Sequence, residues 1–101
     1  MEVLLRYFDG CPSWRTARDR IEAVLAELGR SDAEISLERV ESPEDAGRLG
    51  FVGSPTIIID GRDAFPSPAG TVGLACRVYE TPDGLAGCPT IDQLRRVLAR
   101  G

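Results

Sequence analysis

Histidine, lysine and asparagine are missing from the chain, and cysteine occurs only as Cys11, Cys76 and Cys88. The lack of His rules out Ser-His-Asp and Cys-His triads, His-ligated zinc and an imidazole proton shuttle. The lack of Lys rules out Schiff-base chemistry and the P-loop. All 12 basic residues are therefore Arg, set against 16 acidic residues for a net charge of −4. A nucleic-acid binder needs a basic footprint, which this balance does not provide. No apolar run approaches the roughly 20 residues of a membrane-spanning helix. The start, Met1-Glu2-Val3-Leu4-Leu5, has neither the basic region nor the long apolar region of a secretory signal. Neither nucleic acid nor membrane is expected as a partner. Three cysteines, an odd number, do not describe a secreted disulfide scaffold, so a cytoplasmic, reducing setting is expected. Their spacings of 65 and 12 residues show no zinc-finger pattern, and a metal held by all three would need a fourth ligand. The heavy use of Arg, Ala and Gly matches the codon bias of a GC-rich bacterial genome and carries no functional content.

What is present describes one domain spanning residues 1–101, with 43% hydrophobic and 28% charged residues. Val3 to Phe8 reads as a buried strand broken by Asp9-Gly10. Pro12 suits a helix's first turn. Trp14, Ala17, Ile21, Val24, Leu25 and Leu28 then form one apolar stripe, which predicts a helix of about 18 residues ending at Gly29. Arg15/Asp19 and Arg18/Glu22 are spaced as i,i+4 pairs on its outer face. Ile35 to Val40 reads as a more polar strand near a sheet edge. Ser42-Pro43-Glu44-Asp45 opens a short helix that stops near Gly50, and Thr90-Ile91-Asp92-Gln93 is a capping box opening the last helix. Thr56 to Ile59 and Leu74 to Tyr79 read as the third and fourth strands, paired as an antiparallel hairpin, with loops over 62–73 and 81–87. The expected order is β-α-β-α-β-β-α, giving an α/β fold with a four-stranded mixed sheet. The first and third helices lie on one face and the second on the other, and the first two strands are parallel.

Chemistry concentrates at Tyr7-Phe8-Asp9-Gly10-Cys11-Pro12-Ser13-Trp14. Cys11 lies at the junction of a buried strand and the N-terminus of the longest helix. Orphan N–H groups and the helix dipole favour an anion there, and a thiolate is one. Thiolate character together with exposure would make Cys11 a nucleophile and the fastest cysteine to alkylate. Asp9 would oppose a thiolate and is better explained as a turn former with Gly10. Arg15 either favours the thiolate or pairs with Asp19.

Two motifs, Cys11-Pro12-Ser13-Trp14 after the first strand and Gly53-Ser54-Pro55-Thr56 before the third, resemble those of the thioredoxin-like family, and the element order resembles it along nearly the whole chain. The resemblance implies that Cys11 is the attacking cysteine and that Pro55 is a cis proline facing it. It also implies that the backbone of Ser54 pairs with an extended substrate. The family's usual second cysteine is replaced by Trp14, which leaves a monothiol motif. Trp14 is then either core or a platform beside Cys11 for a ligand. A mixed disulfide on Cys11 would be resolved by an external thiol, with glutathione as the low-molecular-weight candidate, or by Cys88 in Gly87-Cys88-Pro89. Cys76, within the expected fourth strand, reads as buried and inert, although a Cys76–Cys88 bond is open. The expected function is thiol–disulfide exchange with protein or small-molecule thiols and disulfides. The alternatives are a non-catalytic binding module built on the Pro55 surface and a weak binder of thiophilic metals.

Overall fold

A computed structural model describes residues 1–30, 32–66 and 72–100. The chain opens with β1 (Glu2–Tyr7), α1 (Ser13–Glu27), β2 (Glu34–Arg39) and α2 (Pro43–Leu49). It continues through β3 (Thr56–Ile59), β4 (Arg62–Asp63), β5 (Tyr79–Thr81), β6 (Gly84–Ala86) and α3 (Ile91–Arg100). Four strands form one mixed sheet in the order β2-β1-β3-β4. β1 and β2 are parallel, with Val3 opposite Ile35 and Leu5 opposite Leu37. β3 runs antiparallel to β1, with Leu5 opposite Ile57. The more polar β2 lies at an edge, as its composition suggests.

Side-chain alternation along β1 sorts the helices. Val3, Leu5 and Tyr7 share a face with Ile57 and Ile59 of β3 and pack against Trp14, Ala17, Ile21 and Val24 of α1 and Leu94 and Leu98 of α3. Each fully buried Leu or Ile here contributes about 1.5–3 kcal/mol relative to exposure. Arg6, of opposite parity, reaches the Leu49 carbonyl at 3.4 Å from the other face, where Val40, Ala46 and Phe51 form a smaller cluster. α1 and α3 thus cover one face and α2 the other.

The helix signals in the sequence work locally. Ser42 caps α2 by accepting from the Asp45 N–H at 3.1 Å, with Pro43 in the first turn. Thr90 and Gln93 exchange reciprocal bonds at 2.9 and 3.2 Å at the start of α3. α1 ends in a Schellman arrangement: Arg30 N–H donates to Leu25 O and Gly29 N–H to Ala26 O, with Gly29 at φ 67°. α1 starts after Pro12, which has no side chain able to cap it, and no side-chain cap bond forms. Among the described residues no helix is long and apolar enough to cross a membrane.

The fourth strand is a correction. It is the two-residue β4, inside the stretch read as a loop, paired antiparallel to β3 through Ile58 and Asp63. Residues 67–71 of that loop reading lie outside the described residues. Leu74 to Val78 is not a sheet strand; among the described residues its only ladder contact is an isolated parallel bridge between Cys76 and Ser54. Tyr79, the last residue of that strand reading, instead begins a separate hairpin, β5–β6, that runs on into the second stretch read as a loop. Apolar composition marked this segment as a strand, but of its residues only Arg77 and Tyr79 are buried. Composition could not specify its pairing partner, because Arg77, in the middle of the run, turns inward.

Candidate functional site

Cys11 follows the turn that closes β1, its N–H donating to Phe8 O at 3.2 Å. A Cβ at Gly10 would stand 2.6 Å from the Phe8 ring, which would have to shift to admit it. The turn brings Cys11 against the Gly53–Pro55 segment, where its thiol donates to the Ser54 carbonyl at 3.5 Å. The Ser54–Pro55 peptide bond is cis. Cys11 is completely buried, so of the two conditions for a reactive nucleophile, helix position and exposure, this state meets only the first.

What covers Cys11 is a strap, residues 73–77. Gly73 N–H donates to Phe51 O at 3.0 Å, Ser54 N–H to Ala75 O at 2.8 Å and Arg77 N–H to Ser54 O at 2.9 Å. Both backbone groups of Ser54 are therefore used by the strap. Gly53, at φ 120°, permits the approach: a Cβ there would lie 2.9 Å from the Arg77 Cβ. Arg77 clasps the strap to the sheet. Arg77 is 6% exposed; its guanidinium pairs with Asp63 at 2.9 Å, donates to Phe65 O and lies 4.7 Å over the Tyr79 ring. Tyr79 in turn donates its hydroxyl to Pro55 O. Burial pushes the Tyr79 hydroxyl above its ordinary pKa, keeping it a donor.

The strap delivers Cys76 to Cys11. The Cys76 thiol donates to Cys11 Sγ at 2.7 Å, and both cysteines are free. Cys76 is exposed. Its thiol is pushed up from the ordinary value, first by the bond to Cys11, then by desolvation and by the electrostatic effect of the Cys11 sulfur. Two thiols in contact, one sealed and one facing solvent, can give up two electrons and two protons to form a disulfide.

Several expected site residues stand elsewhere or in other roles. Cys76, read as buried and inert, is the partner of Cys11. Cys88, read as a resolving cysteine in alternative to an external thiol, is buried in the main core, its Sγ 3.3 Å from Arg20 Nη1, and burial raises its pKa. The Cys76–Cys88 bond left open in the sequence is not formed. Trp14 is core, 6% exposed, stacked on Tyr7 with centroids 4.1 Å apart and flanked by the guanidinium groups of Arg15 and Arg18. It offers no open platform. Ser54 is also buried, its hydroxyl without a partner among the described residues, and Pro55 is fully buried beneath the strap and Tyr79. Asp9 pairs with Arg39 at 2.8 Å, and Arg18 pairs with Asp19 at 3.1 Å; neither Arg15/Asp19 nor Arg18/Glu22 is an ion pair. Asp63 and Arg77, which build the clasp, were missed by sequence reasoning. The faint signal was Gly73 and Ala75, small residues beside a cysteine, which allow a close backbone approach.

Among the described residues no group of three or more Cys, Asp or Glu side chains converges as a metal cage. Compared with family models, curated proteins and solved structures, the chain shows no match in any of the three.

Proposed function

We propose that this chain is a small thiol–disulfide exchange protein of thioredoxin-like architecture, with Cys11 and Cys76 as its redox pair. The observation that carries this reading is the 2.7 Å contact between the two sulfurs at the N-terminus of α1. The strand order β2-β1-β3-β4 and the cis Ser54–Pro55 bond beside Cys11 support the architecture. The second thiol that the Cys-Pro-Ser-Trp motif lacks comes from the strap, 65 residues along the chain.

The chemistry runs in two exchanges. The Cys76 thiolate, its proton lost to solvent, attacks one sulfur of an external disulfide. A Cys76 mixed disulfide forms, and the first external thiolate leaves and takes up a proton. Cys11, its thiol proton passing to solvent, then attacks Cys76 Sγ, forms the Cys11–Cys76 bond and expels the second external thiolate, which takes up a proton. The external disulfide gains two electrons and becomes two thiols; the protein loses two electrons. In the reverse direction an external thiolate attacks the exposed Cys76. Cys11 is then the leaving group, at a helix end that favours its negative charge. A glutathione pool, as in a cytoplasm, can supply both oxidant and reductant.

Mass spectrometry of the reduced protein after addition of oxidised glutathione tests the reading. The wild type should lose two thiols, gain an internal Cys11–Cys76 bond and retain no glutathione. Cys11→Ser should trap glutathione on Cys76, and Cys88→Ser should behave as wild type. A wild type that stays a dithiol, or a disulfide that includes Cys88, defeats the assignment.

A further inference from the structure

The β2 edge of the sheet is regular and open. β2 pairs in unbroken parallel register with β1 over its whole length, and among the described residues no strand pairs with its other side. The N–H groups of Glu34 and Val40 donate to Met1 O and Tyr7 O, so the even-numbered residues turn their backbone groups inward. Backbone groups alternate in direction along a strand, so Ile35, Leu37 and Arg39 point theirs out of the sheet. Native edges are commonly blunted by proline, lysine or a bulge, and β2 has none of the three. At its middle stands Leu37, an apolar side chain left 46% exposed. Along the same edge a groove between the end of α1 and β2 is lined by Leu25, Ala26 and Ile35, with Glu22 on its wall.

Two such edges can meet antiparallel about a two-fold axis. Outward residues must then face outward residues, and two registers give the greatest overlap. Centring on Ser36 sets Glu34 against the partner's Glu38, and the symmetry repeats the clash; like charges directly opposite destabilise a pair. Centring on Leu37 sets Leu37 against the partner's Leu37, Ile35 against the partner's Arg39 and Ser36 against the partner's Glu38, with no like pair. That register also lays the partner's Arg39 beside Ile35, which lines the same groove as Glu22, so the arriving cation meets an acidic wall. β2 is thus complementary to itself in charge, in its apolar centre and in the direction of its free backbone groups.

We infer that the protein associates with a second copy of itself through antiparallel β2 edges, with Leu37 on the two-fold axis. Two four-stranded sheets then become one continuous sheet. Leu37 with the partner's Leu37, and Ile35 with the partner's Arg39 in both directions, exchange paired N–H···O=C bonds. The partner strand runs the opposite way, so the two copies of Cys11 lie at opposite ends of the joined sheet. The association does not depend on the redox reading.

Sedimentation equilibrium of the full chain tests this, in excess reductant so that no disulfide links two molecules, from about 1 μM to about 1 mM. The wild type should pass from the mass of one chain to that of two. Leu37→Lys and Leu37→Glu each place two like charges on the axis, and each alone should stay monomeric over that range. Mixed in equal amounts, the two variants should recover the dimer, because Lys then faces Glu. In wild type, amide hydrogen exchange at Ile35, Leu37 and Arg39 should slow as the dimer forms, by about the ratio of total to free chain. A wild type that is still monomeric at about 1 mM overturns the inference. So does a dimer that both variants retain, or a mixture that stays monomeric, since Leu37 would not then lie on the axis. Should either variant not fold, the wild-type exchange pattern decides: a dimer that leaves those three amides unprotected joins through another surface and overturns it.

Discussion

Cys76 combines an exposed sulfur with a proton that its neighbour holds in place, and those two properties pull its reactivity in opposite directions. Exposure opens it to any electrophile. The contact with Cys11, the largest influence on its titration, keeps it protonated beyond the ordinary thiol range. Since only the thiolate is nucleophilic, its alkylation should be slow near neutrality and climb with pH, levelling off above the usual value near 8.5. The sign follows from the raised pKa: at each pH below it, less thiolate is present than in a free cysteine. Cys11 and Cys88, both buried, should label later than Cys76. Cys11→Ala removes the main cause of the shift, so its Cys76 profile should move down in pH towards the ordinary thiol value. Iodoacetamide labelling followed by mass spectrometry across a pH series reads both. Labelling of Cys11 ahead of Cys76 would show that strap opening makes more reactive inner thiolate available than the raised pKa leaves at Cys76.

At the scale of elements, the readable parts were those governed by neighbours in sequence. Ser42-Pro43 and Thr90–Gln93 announce helix starts because a cap is a contact between residues three apart. The stripe from Trp14 to Leu25 announces α1 because a helix repeats every few residues. The strap was illegible for the opposite reason. Its position depends on Ser54, Asp63 and Gly53, which are 10 to 24 residues away, and on a charged residue that turns inward to find Asp63. No local period encodes that, so Leu74–Tyr79 passed for an ordinary strand and Cys76 for an inert residue. Half of the candidate site, Cys11 and the Ser54–Pro55 turn, was visible as motifs; the other half depended on this one long-range pairing. Gly53→Ala tests it directly. The new methyl would meet the Arg77 backbone and Cβ at about 3 Å, at a φ of 120° that a side chain rarely adopts. The strap should lift, Cys11 should become open to iodoacetamide, and internal oxidation by oxidised glutathione should slow by about tenfold or more as the two sulfurs lose their enforced contact. Unchanged oxidation in a folded Gly53→Ala protein would show that the strap is held without the close approach at Gly53.

At the scale of the molecule, the Cys11–Cys76 contact joins chain segments that lie far apart in sequence. Cys11 lies just before α1, which with α3 covers one face of the sheet, while Cys76 lies in the strap that bridges Phe51–Ser54 and the β4 edge. A bond between them closes a loop of 65 residues, most of the chain. In the chain-entropy account, such a loop limits the unfolded ensemble far more than the folded one, where the sulfurs are already in contact. The stabilisation expected for a loop of that length is about 4 kcal/mol, less any strain the bond introduces. The reduced protein, by contrast, holds the strap through non-covalent contacts, among them three backbone bonds, the Arg77 clasp and the packing of Leu74. Oxidation by glutathione disulfide should therefore raise the urea midpoint of the wild type substantially. The same treatment should leave Cys76→Ser where it was, since that variant cannot close the loop. Unfolding curves of reduced and oxidised protein, followed by tryptophan fluorescence, provide the comparison. Trp14 is the chain's single tryptophan and is stacked in the core, so its signal follows loss of the packing between α1 and the sheet. Coincident midpoints for the two redox forms of the wild type would mean that the Cys11–Cys76 bond strains the folded state by as much as it restricts the unfolded one.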